Sequence, residues 1–214
     1  MKKIQVIMGI LAGALLAASC AEDDYNHQNL SDRPISFAPT IEASDWNAYT
    51  SESDEATRGT LFTATSFPDD AVFGVSAYRY DGTSLTASTA TANFMYKTAI
   101  SRIMEQWRTE EQYYWPGDGD KLDFYAYYPY DHPNVVPKSQ ETTGPMQLVY
   151  TVNSNPANQV DLLTASAKNC TFDNSNAQSL NFTHQLTAIN LVLGDNVAPG
   201  YIKSVSFEHT TSQI

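Results

Sequence analysis

Apolar and polar residues trade places at nearly every step from Pro34 onward, in short runs bounded by Asp, Asn, Gly, Pro, Ser and Thr. Alternation of period two predicts strands. The runs are Ile35–Ala38, Leu61–Ala64, Val72–Tyr80, Asn93–Tyr96, Tyr113–Trp115, Leu122–Tyr128, Gln147–Val152, Leu162–Ala165, Ser179–Phe182, Leu186–Leu193 and Ile202–Glu208. In Leu122–Tyr128 the residues Leu122, Phe124, Ala126 and Tyr128 share one face, with Asp123, Tyr125 and Tyr127 on the other. Leu148, Tyr150 and Val152 oppose Gln147, Val149 and Thr151 in the same way. Helical spacing is confined to Lys97–Arg108, where Ile100, Ile103, Met104 and Trp107 recur at intervals of three and four; an edge strand or irregular loop fits that segment nearly as well. Many short strands joined by turn residues predict an all-β, antiparallel sandwich, whose edges the chain must manage.

The N-terminus breaks this pattern. Lys2 and Lys3 precede an apolar run from Ile4 to Ala18 that is too short to span a bilayer, followed by Ser19 and Cys20. A charged start, a short apolar core and small residues make a secretory signal over residues 1–19. The sequence Ala17-Ala18-Ser19-Cys20 resembles a bacterial lipoprotein lipobox, which implies acylation of Cys20 and a lipid anchor in the outer membrane. Glu22, Asp23 and Asp24 resemble the tag that exports some lipoproteins to the cell surface. An ordinary secretory signal ending in a chance Cys is the alternative. Residues 20–33 are polar, lack periodicity and read as a tether.

Charge and chemistry narrow the functional classes. The 214-residue chain carries a formal charge of −12 without a basic cluster, which makes nucleic acid a poor partner. With Cys20 acylated, Cys170 has no partner for a disulfide and reads as a small structural residue. No nucleophile elbow, zinc-protease motif, phosphate loop or dinucleotide fingerprint is present, so an enzyme is not expected, nor a cofactor. The histidines at 27, 132, 184 and 209 have no metal-ligand spacing, and His184 reads as a hydrogen-bonded structural imidazole. Asp118-Gly119-Asp120 with Asp123 hints at a calcium loop, yet a hairpin turn accounts for it better. Tyr125 and Tyr127, if exposed beside Trp46 or Trp107, would form a sugar-stacking platform and make this a glycan-binding surface lipoprotein.

Residues 43–60 are polar and acidic, and their one basic residue is Arg58, followed by Gly59. An exposed loop of this composition is what a trypsin-like protease reaches. Further blocks complete the picture: Tyr113-Tyr114-Trp115-Pro116, Leu122-Asp123-Phe124-Tyr125-Ala126-Tyr127-Tyr128-Pro129, Asp161-Leu162-Leu163-Thr164-Ala165 and Leu180-Asn181-Phe182-Thr183-His184-Gln185-Leu186-Thr187-Ala188-Ile189. Together, and in this order, they resemble the fimbrillin family of major-fimbrial-subunit-like proteins. The resemblance implies a type V pilus subunit at the cell surface, built of transthyretin-like Greek-key sandwiches. It also implies cleavage at Arg58-Gly59, loss of the first strand (Ile35, Ser36, Phe37 and Ala38) and strand exchange with other pilus subunits. A host or microbial surface ligand would be a further partner. On this reading residues 34–170 form the first sandwich, and 171–214 open a second, C-terminally incomplete one.

Overall fold

The computed structural model describes residues 33–42, 65–117, 119–155, 158–172, 177–187, 200–201 and 203–204. Their strands are β1 (Phe37–Ile41), β2 (Phe73–Tyr80), β3 (Met95–Ile103), β4 (Gln106–Arg108), β5 (Lys121–Tyr128), β6 (Val135–Pro137), β7 (Leu148–Tyr150), β8 (Leu163–Cys170) and β9 (Gln178–His184). No α-helix occurs among the described residues.

The ladders join into a closed sheet in the order β1-β4-β3-β2-β5-β8-β9, with β6 and β7 forming a separate ribbon. Strands β2, β3 and β4 follow one another as antiparallel neighbours, and β5 returns to lie beside β2. Two strands change partners along their length. β3 pairs with β2 from Met95 to Ile100 and with β4 from Ser101 to Ile103. β9 lies parallel to β1 from Gln178 to Phe182, and meets β8 only at Thr183 and His184. Such partner-switching strands turn the corners of a flattened barrel. The sheet therefore closes where a sandwich with free edges was expected. β9, placed by sequence in a second sandwich, pairs here with β1 and β8.

The interior is filled by alternate residues of these strands, among them Phe73, Val75, Ile100, Leu122, Phe124, Leu163, Leu180 and Phe182, all but inaccessible to solvent. β2 and β5 are buried on both faces. Their outward residues Tyr78, Tyr80, Tyr125 and Tyr127 lie beneath two excursions, residues 81–94 and the stretch carrying the β6–β7 ribbon. The excursions bond to each other, Gly144 N–H donating to the Ala90 carbonyl (3.0 Å) and Gln140 Nε2 to the Ala92 carbonyl (3.1 Å), while Tyr96 Oη of β3 donates to the Lys138 carbonyl (3.0 Å).

Several expectations change. Lys97–Arg108 is not helical: β3 and β4 form a hairpin, with Ile103 opposite Gln106 and positive φ at both Met104 (49°) and Glu105 (65°). Two successive left-handed residues make the turn that matches strand twist. Tyr113–Trp115 is no strand; it contributes one bridge, Tyr114 to Pro34. β3 begins at Met95 and runs on to Ile103, past the predicted end at Tyr96, while β4 and β6 were not predicted. Leu61–Ala64, and most of Leu186–Leu193 and Ile202–Glu208, lie outside the described residues.

Candidate functional site

The seat of β1 is where sequence and fold converge. Ile35, Phe37 and Ile41 point into the barrel, each no more than 4% exposed, while Ala38 and Thr40 face solvent. Phe37 meets the rings of Phe124 (5.4 Å) and Phe73 (6.4 Å) edge-on. The backbone alternates as well. Gln178 N–H donates to the Ser36 carbonyl (2.8 Å), and Glu42 N–H to the Phe182 carbonyl (2.9 Å), so even-numbered residues bond to β9. Odd-numbered ones bond the other way. Ile35 N–H donates to the Tyr113 carbonyl (2.8 Å), Gln112 Nε2 to the Ile35 carbonyl (3.1 Å) and Ile41 N–H to the Thr65 carbonyl (3.0 Å). Pro39, which lacks an N–H, is odd-numbered and costs the β9 ladder nothing.

β1 is thus the strand that closes the barrel between β4 and β9. Its contact with β4 is a single register pair, Phe37 with Trp107, against five pairs with β9. Without it both neighbours would present unpaired backbone groups above an apolar interior. Burying Ile35, Phe37 and Ile41 contributes roughly 1.5–3 kcal/mol each. The expected strand Ile35–Ala38 is shifted to Phe37–Ile41, though Ile35 and Ser36 are hydrogen-bonded on either side of the chain.

Arg58 and Gly59 lie outside the described residues, as do Cys20, Glu22, Asp23, Asp24 and Trp46. The segment holding Arg58 leaves the described structure at Glu42 and rejoins it at Thr65, so both of its ends flank β1. Lys97 and Arg102 lie within β3 and Arg108 within β4, with the Arg102 guanidinium paired to Asp69 and Glu105.

The sugar platform is not formed. Tyr125 is 9% and Tyr127 1% exposed, both covered by the excursions, and Trp107 sits on the opposite, inner side against Phe73 (5.7 Å). Asp120 pairs with Arg79, while the buried Asp123 turns to the Tyr80 hydroxyl (3.0 Å) and the Asn169 N–H (2.8 Å), so these carboxylates do not converge on one ion. Among the described residues no group of three or more potential metal ligands is present. His184, the last residue of β9, is hydrogen-bonded through Nδ1 to Asp161 Oδ2 at 2.7 Å, a structural link across the β8–β9 corner. Burial, with Asp123 nearby, pushes the Cys170 thiol up to about 11, which keeps it protonated and inert.

Comparison with known proteins agrees with the fold and adds a family. The family described as Fimbrillin-like matches residues 57–212, so β1 lies ahead of the matched stretch. A curated relative, fimbrium subunit Fim1C of Phocaeicola vulgatus, is 28% identical over 148 residues, covering 62% of this chain and 39% of the relative. The chain thus spans about two fifths of that relative's length. The crystal structure of a fimbrial protein from Bacteroides vulgatus superposes with a TM-score of 0.52 at 19% identity, over 71% of this chain and 45% of that one. A cell adhesion protein from Bacteroides ovatus gives a TM-score of 0.40 at 15% identity, over 71% and 52% of the two chains.

Proposed function

The chain belongs to the fimbrillin-like family, and on that premise we propose that it is a surface lipoprotein subunit of a fimbrium whose first strand is the exchangeable part of its fold. Cys20 carries the lipid, Glu22, Asp23 and Asp24 direct it outward, and the outer membrane holds it until a protease cuts between Arg58 and Gly59. Cutting there frees β1 from the body covalently while the seat holds it by packing and ladders alone. A strand from another pilus subunit then takes the place of β1. Such a contact is head-to-tail and propagates as a filament. The role is structural or adhesive, on a Greek-key, transthyretin-like body.

The observation that carries this reading is the position of β1: first in sequence, parallel to the last described strand, and closing the barrel through Phe37. Sequential strands pair most readily with their neighbours, and a closing strand from the far end of the chain is the one whose loss leaves the other ladders whole. Limited digestion of the folded chain with trypsin tests it. The first cut is expected after Arg58, leaving a compact body with the β1 fragment still attached. First cuts at Lys97, Arg102 or Arg108, with Arg58 intact, would overturn it.

A further inference from the structure

Strands β5 and β8 are antiparallel neighbours, which a two-residue turn can join, yet residues 129–162 lie between them. Excursions of that length in a compact body are commonly functional. One side of this excursion packs Val135 and Leu148 onto Tyr127. At the end of its ribbon, before β6 and beyond β7, a cleft of about 380 Å³ opens to solvent. Five polar side chains line it, His132, Asn134, Asn153, Asn158 and Gln159, beside the smaller apolar surfaces of Pro133 and Val160. All are half-buried except Asn158, which is exposed.

Four of the five polar groups are fixed at one end and open at the other. Asn134 Nδ2 donates to the Thr151 carbonyl (2.5 Å) and Gln159 Nε2 to the Asn153 carbonyl (2.9 Å). Asn153 Oδ1 accepts from Asn155 N–H (2.9 Å), and His132 Nδ1 from Asn134 N–H (3.2 Å). Left over are two acceptors, Asn134 Oδ1 and Gln159 Oε1, and two donors, Asn153 Nδ2 and the Nε2–H of the neutral His132 ring. The Asn158 amide adds one of each. Resting on the adhesive side of the role proposed above, we propose that this cleft binds a neutral carbohydrate. A sugar hydroxyl both donates and accepts, which is what a mixed set of uncharged amides recognises. The other ligand classes lack a counterpart here. No Lys or Arg lines the cleft to hold a phosphate, sulfate or sialic acid, and no carboxylate lines it to hold a cation. Nor does an aromatic or deep apolar pocket line it to anchor a protein partner. Because their fixed ends already orient these side chains, little ordering opposes binding.

The test offers the labelled full chain to an array of neutral animal-type glycans, neutral microbial glycans, and sialylated, sulfated and phosphorylated glycans. Binding to one of the neutral sets is expected, and which set binds identifies the source. Titration of the strongest neutral glycan should then show Asn158→Ala weakening affinity about three- to tenfold, the loss of one or two neutral hydrogen bonds. Asn158 is exposed and holds nothing in the fold, so the melting temperature should stay unchanged. Gln159→Ala, which also releases Asn153, should weaken binding further. Binding confined to acidic glycans, binding to none, or neutral binding untouched by both substitutions would each overturn the assignment. Any of these would leave the exchangeable first strand standing, because that reading is decided by the trypsin cut at Arg58.

Discussion

Tyr127 lies directly opposite Gly74 in the β2–β5 ladder, and its phenol ring fills the space that a β-carbon at position 74 would need. The glycine has no unusual φ to explain it, so its value lies in the close approach. Ordinarily Gly→Ala in a strand is favourable because it stiffens the unfolded chain. Here the sign reverses. Gly74→Ala is expected to destabilise by about 1–3 kcal/mol, the usual cost of overpacking, read as a lower denaturation midpoint at unchanged slope. A rise in the midpoint would show that the ring moves aside freely.

The same ring carries a hydroxyl that is buried and has no hydrogen-bond partner among the described residues. Tyr127→Phe removes that orphan and keeps the packing, so stability should hold or rise by up to about 1–2 kcal/mol. Tyr80→Phe should do the opposite. The Tyr80 hydroxyl lies 3.0 Å from Asp123 Oδ1 and 2.9 Å from Asn169 Oδ1, and Asp123 is 2% exposed. Removing a donor from a buried carboxylate should cost about 1–3 kcal/mol. Equal effects of the two substitutions in urea unfolding would refute the distinction.

Alkali should reveal these phenols. Burial, then the hydrogen bond to Asp123, pushes Tyr80 up to about 12, and burial, then the Asp123 charge, does the same for Tyr125. A folded state that holds its proton more tightly than the unfolded chain is favoured below the ordinary phenol value of about 10, and loses that advantage as pH rises towards about 12. Unfolding free energy is therefore expected to fall between those limits. The slope should be shallower in Tyr80→Phe and in Tyr125→Phe, and phenolate absorbance should develop later in the folded than in the unfolded protein. Coincident titration of the two states would contradict this.

Much of this fold was legible because alternation reports burial. The division of β5 into Leu122, Phe124, Ala126 and Tyr128 against Asp123, Tyr125 and Tyr127 is the division between barrel interior and covered outer face. What alternation does not report is what covers the second face. A tyrosine exposed to a sugar and a tyrosine under a loop read alike, and only the interlocking of residues 81–94 with the β6–β7 stretch decides between them. Closure of the sheet was equally hidden, since it depends on β3 and β9 changing partners midway. The Lys97–Arg108 hairpin escaped for a local reason: its turn is built from Met104 and Glu105, neither a turn former.

That turn makes its own forecast. Met104 is 87% exposed and packs against little, so its left-handed backbone is imposed by the strands on either side. A left-handed conformation costs an ordinary L-residue roughly 1–2 kcal/mol, and Asn-Gly is the pair that adopts it most readily. The double substitution Met104→Asn with Glu105→Gly sacrifices the surface pairing of Glu105 with Arg102, which solvent screens and Asp69 shares. The backbone term should therefore prevail. The variant is expected to be more stable than the parent by about 1–2 kcal/mol, read as a higher melting temperature, with β3 and β4 better protected in hydrogen exchange. A lower melting temperature would mean that the Arg102 cluster, and not the turn, holds this end of the barrel together.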